Sequence, residues 1–160
     1  MKIIIMLSIL LMSGFSFADG NNDWQNINQN VIKLNASNSC QGCVLRNTSF
    51  IGADLTNASL SGVDFISANL SSANLDNANL EGSSLFGADM NGTSLERANL
   101  FGSNLFAANL YGANLAGANL TEADLSLANL SGVNFFQADL TNANLRGADL
   151  SDAILDGAFL

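Results

Sequence analysis

Residues 98–125 read ANLFGSNLFAANLYGANLAGANLTEADL, and within this stretch a leucine recurs at every fifth position. The spacing continues in both directions, so every position divisible by five from Leu45 to Leu160 is apolar. These 24 centre positions hold 20 leucines and four other residues: Phe50, Phe65, Met90 and Phe135. An amphipathic helix would show spacings of three and four, and a half-buried strand would alternate with period two. A strict period of five fits neither and predicts a tandem repeat.

Each five-residue unit has a fixed internal order. A small residue stands two positions before the centre and is alanine in 17 of the 24 units, and Asn or Asp stands between the two in 17 units. The two positions after the centre hold mixed polar residues and glycine. Asn and Asp suit tight turns because their side chains bond local backbone and tolerate unusual dihedral angles. Glycine suits turns because it has no Cβ.

In this A-(D/N)-L-x-x pattern, as in Ala53-Asp54-Leu55 and Ala148-Asp149-Leu150, the chain resembles the pentapeptide-repeat family. The resemblance implies an all-β fold, a right-handed quadrilateral β-helix with four units per coil and with the centre and small residues pointing inward. The 24 units then form about six coils, which stack about 4.8 Å apart. A single coil buries nothing alone, so the stacking of coils creates the core.

The first 18 residues, MKIIIMLSILLMSGFSFA, have the features of a secretory signal peptide. Lys2 precedes an apolar run from Ile3 to Met12, and the small residues Ser16 and Ala18 form a cleavage site. The apolar run is too short to cross about 30 Å of hydrocarbon as a membrane anchor. We therefore expect cleavage after Ala18, a periplasmic or secreted mature protein, and no transmembrane anchor in that mature protein.

The chain thus divides into a signal peptide (1–18), an N-terminal segment (19–39) and the repeats (40–160). In the second part, four apolar residues have the 3, 4, 3 spacing of an amphipathic helix: Trp24, Ile27, Val31 and Leu34. We expect a helix over residues 23–34 that covers the first coil, begins at a capping Asp23 and is linked to the repeats by residues 35–39. The alternative is a disordered segment, because Asn-rich stretches are also typical of disorder.

The two cysteines of the chain, Cys40 and Cys43, open the repeats in phase, one at a centre position and one at a small-residue position. Three interpretations compete. A thioredoxin-like redox centre needs a helix after its first cysteine in an α/β setting, and a structural zinc site needs four ligands, whereas this chain has two cysteines and no histidine. A packed pair or a capping disulfide is the third. The segment also resembles the C-x-G-C-(D/N)-L entry of exported family members, with Val44 at the usually polar position.

In the last two units the outward position is apolar, with Ile154 and Phe159 beside the final centre Leu160. Apolar residues placed outward at an open end of a solenoid indicate an end-to-end contact, most simply a two-fold dimer. Alternatively, Ile154 and Phe159 fold over the end and cap their own coil.

With four units per coil, residues twenty apart lie above one another. The position after the centre then gives one unusual column: Arg46, Ile66, Phe86, Phe106, Ser126 and Arg146. Its apolar part, Ile66, Phe86 and Phe106, either stabilises the rod by cross-strand stacking or forms an interaction stripe for a partner. Other outward aromatic residues, Phe101, Tyr111 and Phe136, fall in other columns.

The chain is acidic, with a formal net charge of −9, so direct binding of nucleic acid is not expected. A DNA-mimicking protein that binds gyrase or topoisomerase is an alternative function. The repeats hold 12 acidic and 3 basic residues, roughly half the charge density of duplex DNA, and export would remove the protein from gyrase.

The sequence offers no catalytic site, cofactor site or metal site. It has no histidine, and its hydroxyls and carboxylates stand at positions that the repeat dictates, with no irregular loop to gather them. Asp76 and Glu96 stack in one column, as residues twenty apart must. We therefore expect a non-enzymatic exported scaffold for a protein or envelope partner, with a thiol-disulfide redox protein using Cys40 and Cys43 as the least favoured alternative.

Overall fold

The computed structural model describes residues 23–160, so the predicted signal peptide lies outside the described residues. Helix α1 spans Asp23–Ser37. After it, the chain forms a repeat solenoid, whose stacked turns are joined by parallel bridges, each one residue long, from Ser39↔Ser59 to Asp139↔Phe159. Every bridge joins residues twenty positions apart, which is the length of four units. Within residues 23–160, no helix is both long and apolar enough to cross a membrane.

The backbone of one unit, Ala98–Gly102, shows why the repeat has five residues. The Ala98 N–H closes a turn on the Leu95 carbonyl at 3.0 Å, and the Asn99 N–H donates to the preceding coil at Ala78. The N–H groups of Leu100 and Gly102 donate to the following coil, at 2.7 and 2.9 Å. Four of the five N–H groups therefore have backbone acceptors, and only that of Phe101 is left over.

In the units that have Asn or Asp before the centre, the side chain of that residue supplies this fifth acceptor. Asn99 Oδ1 accepts the Phe101 N–H at 3.2 Å, and the same bond forms in all 17 units that have Asn or Asp before the centre. Local backbone bonding by these side chains is as the sequence predicts. The Asn and Asp residues before the centres do not themselves adopt unusual dihedral angles; positive φ occurs two residues after the centre.

A left-handed backbone occurs at the second residue after Cys40 and after each centre from Leu45 to Leu155, at 24 positions in all, with φ between 54° and 72°. Glycine occupies 12 of these positions, because it adopts positive φ without a Cβ clash. We call the two residues after each centre a corner of the coil. The left-handed corner residues that are not glycine are Asn47, Asn57, Ser67, Ser72, Asn77, Arg97, Ala107, Glu122, Leu127, Gln137, Asn142 and Asp152.

The core lies inside the stacked coils, where the centre residues from Leu45 to Leu140 are at most 3% exposed. The alanines beside them are equally buried, because two side chains must share each side of the coil and only a small one fits next to leucine. Two serines that replace alanine, Ser83 and Ser103, are 1% exposed. Their hydroxyls have no hydrogen-bond partner within the described part of the chain.

Helix α1 covers the first coil with Val31 and Leu34, which are 6% and 1% exposed, and Ile27 packs partly against the core. The prediction for Trp24 was wrong, because its side chain is 62% exposed. Trp24 precedes Leu34 by ten residues, about 15 Å along the helix. It therefore lies beyond the apolar interior of the first coil, which Leu34 covers.

The helix also ends later than predicted, at Ser37 and not at Leu34. Asn38 adopts a left-handed conformation, with φ 53°, and its N–H donates to the Leu34 carbonyl at 2.8 Å. This is a common way to end a helix, and Asn is second only to glycine in it. The linker therefore shortens to Asn38 and Ser39.

Candidate functional site

The cysteine pair lies where helix α1 meets the solenoid. Cys40 and Cys43 flank the first turn, in which the Cys43 N–H donates to the Cys40 carbonyl, and their sulfur atoms are bonded as a disulfide. Cys40 is 0% exposed and Cys43 6%. A hydrogen bond from Asn30 Nδ2 to the Val44 carbonyl, 3.1 Å long, ties α1 to the same turn. The disulfide occupies the positions that hold leucine and alanine in an ordinary unit.

Several apolar side chains lie together at one corner of the rod, and we define the apolar corner as Ile66, Phe86, Phe106 and Leu127. The rings of Phe86 and Phe106 stack with centroids 5.4 Å apart and planes 3° apart. Phe86 is 43% exposed, and Ile66 and Phe106 are partly exposed. Because the rings cover each other, they present a ridge of ring edges to the solvent.

Charged residues bound this corner at both ends of the column. Arg46 Nε lies 2.5 Å from Asp64 Oδ2 and is neutralised by it. Arg146 is exposed, and no ion pair involves its guanidinium within residues 23–160. Ser126, which the sequence places on the outward column, is only 7% exposed, and its hydroxyl donates to Asp124 Oδ1.

Leu127 is the member of the apolar corner that the sequence reading missed. It is 58% exposed and holds a left-handed backbone, with φ 58°. Its side chain extends over Gly147, where a Cβ would lie 2.8 Å from Leu127 Cδ2. The second corner position was read only as polar or glycine, and an apolar branched residue there is the signal that would have identified it.

The other exposed aromatic residues lie at other corners. Phe101, Tyr111 and Phe136 are 37%, 55% and 46% exposed. None belongs to the column of Phe86 and Phe106, since none differs from them by a multiple of twenty residues. They do not extend the ridge.

Asp76 and Glu96 have structural partners. Asp76 Oδ1 accepts the Glu96 N–H at 2.9 Å and the Ser94 hydroxyl, and so serves a unit in which serine replaces Asn or Asp before the centre. Hydrogen bonds from Thr141 and Ser151 lower the pKa of the Asp139 and Asp149 carboxyls. In the part of the chain that the structure describes, no group of three or more His, Cys, Asp or Glu residues could hold a metal ion. These carboxylates complete turns.

The last coil differs from those before it. Leu145 and Leu150 are partly buried, while Leu155 and Leu160 are 36% and 74% exposed. Ile154 and Phe159 make regular bridges to Asn134 and Asp139 and remain 47% and 64% exposed. This end of the solenoid therefore presents apolar side chains to the solvent.

A family model described as pentapeptide repeats, in eight copies, matches residues 39–75, 64–102, 98–142 and 128–160. No curated protein matches the chain.

Several solved structures are similar to the chain. The pentapeptide repeat protein Rfr23 from the cyanobacterium Cyanothece 51142 is 31% identical over 80% of this chain and 98% of its own, with a TM-score of 0.48. The pentapeptide repeat protein alr5209 from Nostoc PCC 7120 is 32% identical over 68% and 84%, with a TM-score of 0.45. Trypsin-treated QnrB1, a plasmid-mediated fluoroquinolone resistance protein, is 21% identical over 76% and 82%, with a TM-score of 0.34.

Proposed function

The chain belongs to the pentapeptide-repeat family, whose members are generally non-enzymatic structural or binding proteins, and on this premise we propose that it is an exported scaffold that binds a protein or envelope component through its apolar corner. The observation that carries this proposal is the stacked, partly exposed pair Phe86 and Phe106. Contiguous exposed apolar surface is uncommon on a soluble monomer unless it contacts something.

A binding experiment on the mature protein tests this function. Tagged mature protein is incubated with a detergent-solubilised envelope fraction, and the retained components are quantified for wild type, for the double variant Phe86→Ser/Phe106→Ser, and for Phe136→Ser. Phe136 is a matched control because it is also about half exposed and lies at another corner. We expect a component that wild type and Phe136→Ser retain and the double variant loses. Equal retention by all three would disprove the function of the corner.

The proposal includes export and the finer geometry of the fold. Cell fractionation should place the protein in the periplasm or medium, and its N-terminal sequence should begin at Asp19. An unprocessed cytoplasmic protein would instead restore the gyrase-binding alternative. We further propose a right-handed quadrilateral β-helix of about six coils, which the bridges between residues twenty apart support.

Burial favours a structural role for Cys40 and Cys43 over redox catalysis. Reactive cysteines are partly exposed thiolates, whereas these two side chains are at most 6% exposed. We propose that this disulfide stabilises the turn at the start of the first coil. A disulfide reductase assay that responds to Cys43→Ser would contradict this role.

For the last coil we propose contact with a second copy of the chain through Ile154, Phe159 and Leu160. These apolar residues are between 47% and 74% exposed, and a two-fold contact would bury them. Sedimentation of the mature protein should show a dimer for wild type and a monomer for Ile154→Ser/Phe159→Ser. A wild-type monomer at high micromolar concentration would refute the proposed dimer.

A further inference from the structure

On the sides of the rod, a partner can contact side chains but finds very few unpaired backbone N–H and C=O groups. Around the corner at Phe106, the N–H groups of Leu105 and Ala107 donate to the next coil at 2.7 and 2.9 Å, and that of Phe106 donates to Asn104 Oδ1 at 3.0 Å. A partner that adds a strand needs an open edge with unpaired backbone groups. Binding at the apolar corner must therefore rest on the packing of side chains.

The spacing along the apolar corner discriminates between partner conformations. Its side chains lie one coil apart, about 4.8 Å. A turn of α-helix rises 5.4 Å, whereas residues on one face of a strand repeat every 6.6 Å or so. Over the three coil steps from Ile66 to Leu127, a helix would drift out of register by about 2 Å and a strand by about 5 Å. A helix lying along the corner therefore matches it better.

The exposed apolar side chain of Leu127 adds to the surface that a partner can contact. A residue other than glycine in the left-handed conformation is destabilised by about 1 kcal/mol or more, and Leu127 is 58% exposed, so burial compensates for little of that strain. The fold requires this conformation at every second corner position, so what distinguishes Leu127 from the other left-handed residues is its large, exposed apolar side chain. Leu127 lies in the coil after Phe106, at the corner position next to the column of Phe86 and Phe106.

The charge at the end of the corner indicates the chemistry of the partner. Arg46 is already paired with Asp64, but Arg146 has no ion pair among the described residues. It stands one coil beyond Leu127, on a chain whose net charge is −9. An exposed, unpaired guanidinium beside an apolar ridge fits a carboxylate.

We propose that the apolar corner binds an amphipathic α-helix whose apolar stripe packs on Ile66, Phe86, Phe106 and Leu127, and whose acidic end pairs with Arg146. This inference rests on the proposed function, because it names the partner class of the same corner. From Ile66 to Arg146 the contact spans four coil steps, about 19 Å or about 13 residues of helix.

Selection from a random peptide library tests the inference. A display library of peptides of about 16 residues, long enough for that contact, is selected on immobilised mature protein and on the double variant Phe86→Ser/Phe106→Ser. We expect wild type alone to enrich peptides with apolar residues at i, i+3 or i+4, and i+7, and with Asp or Glu near one end. Enrichment of alternating sequences, or no enrichment above the double variant, would overturn the helix.

Single variants then separate binding from stability. Leu127→Gly should lower the affinity for an enriched peptide about tenfold, as expected for the loss of one interface anchor. The melting temperature of this variant should stay equal to that of wild type or rise. The matched control is Gln137→Gly. Gln137 also has a left-handed backbone and a side chain that lies over Gly157, and its replacement should leave peptide binding unchanged. Arg146→Gln should weaken acidic peptides and make their binding less sensitive to salt.

Unchanged peptide binding in Leu127→Gly or Arg146→Gln would overturn the corresponding contact. If no helical peptide is enriched but Phe86→Ser/Phe106→Ser still abolishes capture of an envelope component, the inference fails and the proposed function stands. If both experiments fail, both are wrong.

Discussion

Single side chains complete the backbone of this solenoid. The first N–H after a centre has no backbone acceptor in the coil geometry, and in the 17 units that have Asn or Asp before the centre, that side chain accepts it. Asn114 shows this most simply, because its Oδ1 accepts the Ala116 N–H at 3.2 Å and the Asn134 amide at 3.0 Å. The conserved chemistry within the repeat is thus an acceptor oxygen, which both Asn and Asp provide.

We predict that Asn114→Ala lowers the free energy of unfolding by about 1–3 kcal/mol, because it leaves two partly buried donors without an acceptor. Asn114→Asp keeps the acceptor oxygen and should change the free energy by less than about 0.5 kcal/mol, as ordinary surface substitutions do. Urea unfolding of the three proteins measures the difference. Equal losses in both variants would show that the amide group itself is needed.

The buried hydroxyls of Ser83 and Ser103 have the opposite effect on stability. Each replaces an alanine at a small-residue position and lacks a partner, so each carries an uncompensated desolvation penalty of about 1–3 kcal/mol. We predict that Ser83→Ala raises the unfolding free energy by about 1 kcal/mol, measured by thermal and urea unfolding. The reverse change at an equivalent buried position, Ala88→Ser, should lower it, and a stabilising Ala88→Ser would contradict the explanation.

The capping helix and the first turn form one structural unit. Leu34 covers the first coil at 1% exposure, and the disulfide closes a loop of four residues in the same coil. Loop entropy gives such a disulfide about 2 kcal/mol, whereas truncating a buried leucine removes about 2–5 kcal/mol.

Reduction of the disulfide should therefore destabilise the protein by about 2 kcal/mol, and Leu34→Ala by at least as much. Hydrogen exchange should locate the loss of protection in α1 and the first coil in both cases. Exchange that increases evenly along the rod would mean that the end is not a separate unit.

Periodicity identified columns of side chains but not backbone angles. It correctly placed Phe86 and Phe106 in one column, because residues twenty apart stack, and it put leucine and alanine in the interior. It missed Leu127, because the second corner position was expected to hold only polar residues or glycine. Glycine stands in 12 of the second corner positions and in none of the first, and that asymmetry would have indicated the left-handed residue. The prediction for Trp24 failed because helical spacing shows which residues share one face of α1, but the width of the coil limits how many of them can be buried against it.

The rod as a molecule is quasi-one-dimensional, because each coil contacts only the coil before and the coil after it. In such a protein, stability is close to a sum of coil terms and interface terms between neighbouring coils. A substitution in a central coil therefore weakens two interfaces, while one in an outermost coil weakens one. The same side chain should then contribute unequally along the rod.

Leucine-to-alanine substitutions at two centre positions test this additivity. Leu100 is 0% exposed, and its loss should lower the unfolding free energy by about 3–5 kcal/mol, as cavity-forming substitutions in a packed core do. Leu150 is only partly buried, so Leu150→Ala should remove about 1–2 kcal/mol, since the loss scales with the apolar area buried. Urea unfolding gives both values. Hydrogen exchange should show Leu150→Ala opening the last coil alone, because the interface behind that coil is intact. If Leu150→Ala proves as costly as Leu100→Ala at high protein concentration but not at low, the last coil is buried by a second copy, as proposed above.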